Sequence, residues 1–323
     1  MLEALMLWNE PNNLSHWNFH LDPGWRVYAA MVRQAAQAVR HQAPALTIVA
    51  GGISPIDPDF VRLLTGEGAL ESVDVLGIHG FPLDWNHWRM NEWPRKVLEV
   101  AAETDKVIWA TEVGASSFGA DEVQVFGLEA TARLLLDTGG QPERVYWYSL
   151  LDLPPSWAAT TRHRESEGSA YYRHYHMGLL DAQGRPKPAV ERFPAGMGVC
   201  QWFHFQDHRL DLATDWLRRL GVRRLRTGMS WADWFRPGAA AWFDRQMAAL
   251  AEFDVTLTLC YTPAHLGIEP HYASPPRDGQ EFAAFAHWVA ERYAPAALEA
   301  KAAGGGRQGL QTPCRLAPAA GIG

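Results

Sequence analysis

The sequence predicts an α/β fold of one kind, the (β/α)8 or TIM barrel. Eight short, β-rich apolar runs alternate with eight helical patterns along the chain, and strict alternation builds a parallel sheet. Most of these runs lack polar alternation, as strands covered on both faces should. Connections from strand to helix are long and aromatic, whereas those from helix to strand are short and plain. The variable loops therefore collect on one rim, the C-terminal face of a barrel. An open doubly wound sheet is the alternative. Against it, no strand is followed by a Gly-rich dinucleotide fingerprint; Gly51-Gly52 runs into Ile53-Ser54-Pro55 with the wrong spacing.

The strands are expected at 4–8, 46–50, 73–79, 107–111, 145–149, 198–205, 222–226 and 255–260. The first helix, 24–41, carries Val27, Met31, Ala35 and Val39 on one stripe, and the helix at 121–138 carries Val125, Leu128, Ala132 and Leu135. Similar stripes mark 210–220, 239–253 and 282–293; helices at 58–65, 94–104 and 186–193 are shorter. Residues 297–323 are Ala-, Gly- and Pro-rich without periodicity and are expected to be a disordered tail. The barrel thus occupies 1–296.

Composition removes several function classes. With Lys+Arg 29, Asp+Glu 36 and a net charge of -7, the chain lacks the basic surplus of a nucleic-acid binder. No apolar run approaches the roughly 18 residues of a spanning helix, and Met1-Leu2-Glu3-Ala4-Leu5 has no basic leader. A chain with no membrane partner, in the cytoplasm, is the expectation. Cys200, Cys260 and Cys314 are too dispersed for a disulfide framework or a CxxC site. The 15 tryptophans are the unusual count, because many fall in strand-to-helix loops. His16, Trp17, Phe19 and His20 follow the first strand, and Phe81, Trp85, His87, Trp88 and Trp93 the third. Trp157, His163 and the 171–176 cluster follow the fifth, Trp231, Trp234 and Phe235 the seventh, and Tyr261, His265, His271 and Tyr272 the eighth. Converging aromatics predict a site lined by flat apolar surfaces, as sugar rings require.

Two glutamates end buried runs on that rim: Glu10 in Trp8-Asn9-Glu10-Pro11 and Glu112 in Trp109-Ala110-Thr111-Glu112. A carboxylate there is costly unless paired or used. Two of them flanking one bond is what glycoside hydrolysis needs, one to protonate the leaving oxygen and one to attack the sugar carbon. Asn9 is placed to bind a sugar hydroxyl, Arg226 to hold a neighbouring carboxylate ionised, and Trp147 to form an apolar floor. His79 and Tyr261 are expected to be hydroxyl or carboxylate partners, and Trp17 and Trp231 to hold the ring from the rim. His174-x-His176 has a metal-ligand spacing but sits in a long loop, so neither metal nor other cofactor is expected.

These motifs resemble clan A of the glycoside hydrolases. The resemblance implies retaining (β/α)8 enzymes whose acid/base Glu ends strand four and whose nucleophile ends strand seven, roles that fall on Glu10 and Glu112. It is supported by Trp147 and Arg226, and by 177–189, which resembles the run into the last helix of many members. Within the clan, residues 7–13 with Ser15-His16-Trp17 resemble the β-xylosidase/α-L-iduronidase family. The implied substrate is an oligosaccharide or glycoside. One departure is large: three βα units precede the Asn-Glu strand in the clan, whereas here Glu10 lies near the start. The missing units are expected afterwards, so the chain reads as a circular permutant, units 4–8 over 1–194 and units 1–3 over 195–296. A catalytically impaired carbohydrate-binding protein and a metal-dependent barrel hydrolase are the rival readings of the same rim.

Three consequences follow. The strand at 5–8 must pair with 255–260 and with 47–50. Burial and a negative neighbour should keep Glu10 protonated while Arg226 keeps Glu112 ionised. Partial closure would expose 255–260 as an edge and lead to a domain-swapped homodimer.

Overall fold

The computed structural model describes residues 1–86, 88–136, 140–155 and 172–294. His87, Trp157, His163, Tyr171 and the 297–323 tail lie outside the described residues. Eight strands run β1 (Leu2–Leu7), β2 (Thr47–Ile53), β3 (Val75–Gly80), β4 (Val107–Val113), β5 (Arg144–Tyr148), β6 (Gly198–Cys200), β7 (Arg224–Ser230) and β8 (Asp254–Cys260). Between them lie α1 (Arg26–Gln42), α2 (Pro58–Gly66), α3 (Trp93–Ala101), α4 (Asp121–Leu135), α5 (Leu210–Arg219), α6 (Trp231–Trp234), α7 (Ala239–Ala249) and α8 (Gly279–Tyr293). The strands pair in chain order, all parallel, and close into a ring.

Closure falls where the sequence requires it. Leu5, Met6 and Leu7 of β1 pair with Leu257, Thr258 and Leu259 of β8 on one side and with Ile48, Val49 and Ala50 of β2 on the other. β6 lies between β5 and β7. Behind the seam α1 packs on α8. Tyr28, Met31, Val32, Ala35, Ala36 and Val39 form the buried stripe of α1, and Asp22 accepts from the first-turn amides of Val27 and Tyr28 at 3.2 and 3.0 Å. The start of α8 touches that stripe so closely that a Cβ on Gly279 would lie 3.1 Å from the Met31 Cα. Every described strand is paired on both sides within one chain.

Two elements differ from expectation. β6 ends at Cys200 instead of 205; Gln201 N still donates to Arg226 O at 2.9 Å, while its side chain is engaged locally, Oε1 accepting from Leu151 N and Nε2 donating to Trp202 O, each at 2.8 Å. The helix expected at 186–193 is a 3₁₀ segment, Pro188–Arg192. Inside the ring, Ala4, Met6, Val49, Val75, Trp109, Tyr146 and Cys200 fill the barrel. Arg144 lies over the Trp109 ring at 4.0 Å and forks onto Glu3 at 2.7 Å, stacking on this filling. Above it the rim opens.

Candidate active site

The end of β1 is bent to aim a carboxylate. Trp8 N still donates to Leu259 O at 2.9 Å, but Trp8 and Glu10 take left-handed φ values of 74° and 45°. Tyr261, which ends β8 beside them, has φ 73°. Non-glycine residues held there cost roughly 1–3 kcal/mol each and gather where function needs them. Packing behind the bend holds it: Trp8 meets Trp17 edge-on at 5.2 Å and Phe282 at 5.7 Å, and Trp231 meets Phe282 at 5.3 Å.

Glu10 is almost wholly buried. Its Oε1 lies 2.8 Å from His79 Nδ1; its Oε2 accepts from Asn13 Nδ2 at 2.9 Å and lies 3.2 Å from His16 Nδ1. His79 stands beside Glu112 in the β3–β4 ladder, with Nδ1 3.6 Å from Glu112 Oε2. Arg226 reaches up from β7, buried to 2% exposure. It donates through Nη1 to Glu112 Oε1 and through Nη2 to Asn9 Oδ1 at 2.6 Å. Cys200 Sγ and Met6 Sδ complete its surroundings at 3.0 and 3.3 Å. Burial pushes the Cys200 thiol up to about 12 although Arg226 pulls it down, so it stays neutral.

The rim residues Glu10, Asn9, Glu112, Arg226 and Tyr261 line one cleft of about 430 Å³, within the range of small-molecule sites, about 300–1,000 Å³. Its walls are Phe81, Trp85 and Tyr148 on one flank and Trp202, Tyr261 and Tyr272 on another. Phe81 packs on Trp85 at 4.3 Å and on Tyr148 at 5.9 Å; Trp202 and Tyr272 each meet Tyr261 edge-on at 5.4 Å. His79 is fully buried behind the carboxylates rather than on the cleft wall.

Three expected ring-holders are elsewhere. Trp17, Trp147 and Trp231 are completely buried and do not line the cleft. Trp17 and Trp231 serve the packing behind Trp8. Trp147 belongs to the core between the strands and the helices, while its neighbours Tyr146 and Tyr148 pack with the residues inside the barrel. Strand side chains alternate in direction, so the aromatic facing the site is Tyr148, one residue on. Trp202, Trp85, His16 and Asn13 also line the cleft, residues to which sequence reasoning assigned no role of their own in the site. Gly228 shows how Trp202 is seated: a Cβ there would sit inside the Trp202 ring. Gly228→Ala is expected to drive the indole off β7 and raise KM about tenfold with kcat little changed; initial-rate kinetics check it.

The ionisation of Glu10 runs opposite to expectation. Burial pushes its carboxyl up, but the charge and hydrogen bonds of His16 and His79 outweigh that and hold it well below the usual range. Glu10 is therefore ionised at neutral pH. A carboxyl depressed on folding stabilises above its unfolded value of 4.5, and the benefit fades as pH falls through the lower folded value. The stability gap between the protein and Glu10→Gln should accordingly narrow as pH drops below about 4.5. Denaturant titrations at pH 7, 5 and 3 measure it; a gap that widens on acidification contradicts the direction.

One donor atom each from Glu10, His79 and Glu112 lies within 4.8 Å of the others, close enough to face a common ion. The Arg226 guanidinium already occupies Glu112, and its fixed positive charge opposes a divalent cation at the same place. The trio is better suited to handling protons.

No family model and no curated protein matches the chain. Among solved structures it is similar to a GH128 (subgroup VI) exo-β-1,3-glucanase from Aureobasidium namibiae, with 13% identity over 60% of this chain and 69% of that one, at a TM-score of 0.42. It is also similar to the carboxyl transferase domain of Rhizobium etli pyruvate carboxylase, with 12% identity over 92% of this chain and 48% of that one, at a TM-score of 0.40. Likeness at this level carries no argument about activity. The barrel rests on its strand ring and the chemistry on its site. Among the described residues no helix is long and apolar enough to cross a membrane.

Proposed function

We propose that the chain is a retaining O-glycoside hydrolase. The observation that carries the reading is the pair Glu10 and Glu112, with one oxygen of each within 4.8 Å of the other in an aromatic-walled barrel mouth. Retaining enzymes hold their carboxyls about 5–5.5 Å apart and inverting ones about 6.5–9.5 Å, and a close pair leaves no room for an intervening water. Glu112, hydrogen-bonded by Arg226, attacks the anomeric carbon. Glu10 protonates the departing oxygen and then deprotonates the water that releases the sugar. Asn9, fixed by the same guanidinium, binds near the second hydroxyl of the sugar, and Tyr261 helps to hold the ring.

On this reading the substrate is an oligosaccharide or glycoside, and the chain is a clan A barrel running units 4–8 and then 1–3, with β-xylosidase-like action the narrower form. A panel of aryl β-glycosides tests it. Turnover is expected, insensitive to chelator. Glu10→Ala should lose about 10²–10⁴-fold on poor leaving groups and little on good ones, and azide should then give a glycosyl azide of retained configuration. Binding without turnover would favour a carbohydrate-binding protein; turnover abolished by chelator would favour a metal hydrolase.

A further inference from the structure

Residues 10–17 form a double turn. Asn13 N donates to Glu10 O, and His16 N and Trp17 N donate to Asn13 O, each at 2.9 Å. Asn13 Oδ1 accepts from Ser15 N at 3.0 Å, and Trp8 Nε1 ties down His16 O at 3.0 Å. The fold-back lays the His16 ring against the Glu10 carboxylate, Nδ1 to Oε2 at 3.2 Å. A face of that ring stacks on Tyr261, with centroids 6.4 Å apart and planes at 24°. The side chain retains 23% exposure and lines the cleft. His16 therefore meets both the carboxylate and the space where substrate would lie.

We propose that His16 is the proton partner of Glu10: the two hold one proton across this contact, and the pair, rather than the carboxyl alone, is the acid and base of the reaction. The proposal rests on the glycosidase reading. In the first half-reaction the His16 Nδ1 proton passes to Glu10 and on to the glycosidic oxygen. The electrons of the broken C–O bond leave with that oxygen while Glu112 bonds to the anomeric carbon. In the second, water gives a proton to Glu10 and so to His16, its oxygen bonds to the anomeric carbon, and the Glu112 ester breaks.

Other groups face the pair. His79 from β3 holds Oε1, Glu112 from β4 lies beyond it, and Asn13 donates to Oε2. Tyr261 and Tyr272 close the β8 side. His174 enters after β5, where burial keeps it neutral although Glu10 and Glu112 draw it toward the charged form and His16 opposes them. Arg226 acts from β7 through Asn9. His79 is fully buried and shared between both carboxylates; His16 alone of the two contact imidazoles opens to the cleft. The lowered proton affinity of Glu10, opposed by burial but driven by these two rings, agrees with the pairing.

Two measurements separate this inference from the reading beneath it. The first needs no activity: NMR titration of ¹⁵N-histidine in the full chain, for the wild type and for Glu10→Gln. The His16 midpoint should fall by about one pH unit or more in the variant, which can no longer stabilise the imidazolium. An unmoved midpoint overturns the shared proton whatever the chain hydrolyses. The second is the pH profile of kcat/KM for His16→Asn. Its alkaline limb should shift to lower pH by about a unit, with losses of about tenfold or more confined to poor leaving groups. An unmoved limb with equal losses on all leaving groups overturns the proposal and leaves His16 a packing role. Coupled titration in a chain that turns over no glycoside supports the pairing and sinks the glycosidase reading.

Discussion

Glu112→Ala is expected to abolish turnover of natural glycosides, with kcat falling by about 10⁴-fold or more. The size of the effect follows from position. Glu112 is the next-to-last residue of β4, held by a ladder on both sides and aimed into the cleft with one oxygen on Arg226. Glu112 is the carboxylate that clusters with Glu10 and His79, so its loss removes the proposed nucleophile. Azide added to Glu112→Ala should enter the vacated space and give a glycosyl azide of inverted configuration, the opposite of the Glu10→Ala product. Polarimetry or proton NMR of the two azides checks the assignment. The same configuration from both variants would mean that the roles are not divided as proposed.

Arg226→Met is expected to damage the fold as well as the activity. The guanidinium joins β7 to β4 and β1 through Glu112 and Asn9 at 2% exposure. Removing one partner of a buried ion pair costs about 3–5 kcal/mol, because the other charge is left unsolvated. Met fills part of the volume but supplies no donor, and burial then favours the protonated carboxyl on Glu112. A protonated nucleophile is inert, so the acid limb of kcat/KM should move to higher pH while the maximum falls. Arg226→Lys is not a conservative alternative: a single ammonium does not reproduce the fork that spans Glu112 and Asn9. Denaturant unfolding and the pH–rate profile test both halves. A stable protein with a shift confined to the alkaline limb would contradict the pairing.

Much of this was written in the chain in forms that sequence carries well. A buried parallel strand announces itself by continuous apolar character, and all eight strand positions overlap those predicted. Glu10 and Glu112 could be placed because a charged residue ending such a run must sit at the rim; Arg226, expected to end its strand, lies within β7 and reaches the carboxylate by the length of its side chain. Direction was harder to read. In Val145-Tyr146-Trp147-Tyr148 every residue is β-favouring, and which alternate set faces inward depends on neighbours that periodicity within one strand does not show. Trp17 and Trp231 lie in rim loops by sequence, yet their rings turn down to pack behind Trp8, as large apolar groups do when a buried surface is near. Glu10 was assigned a raised proton affinity from burial and a negative neighbour. The double turn that brings His16 back onto it depends on Asn13 and Ser15, short polar residues whose turn geometry outweighs their weak pattern.

The central claim is that Glu112 bonds covalently to the sugar while Glu10 handles the proton. A 2-deoxy-2-fluoro-β-glycoside with a good leaving group, chosen from the sugar the chain hydrolyses, should trap that ester, because the fluorine slows both steps and the good leaving group restores only the first. Peptide mass spectrometry of the inactivated protein then locates the label. The account predicts one sugar per chain on the peptide containing Glu112, with none on the same peptide of Glu112→Gln. A label on Glu10, or full hydrolysis with no covalent species and an inverted first product, would contradict it.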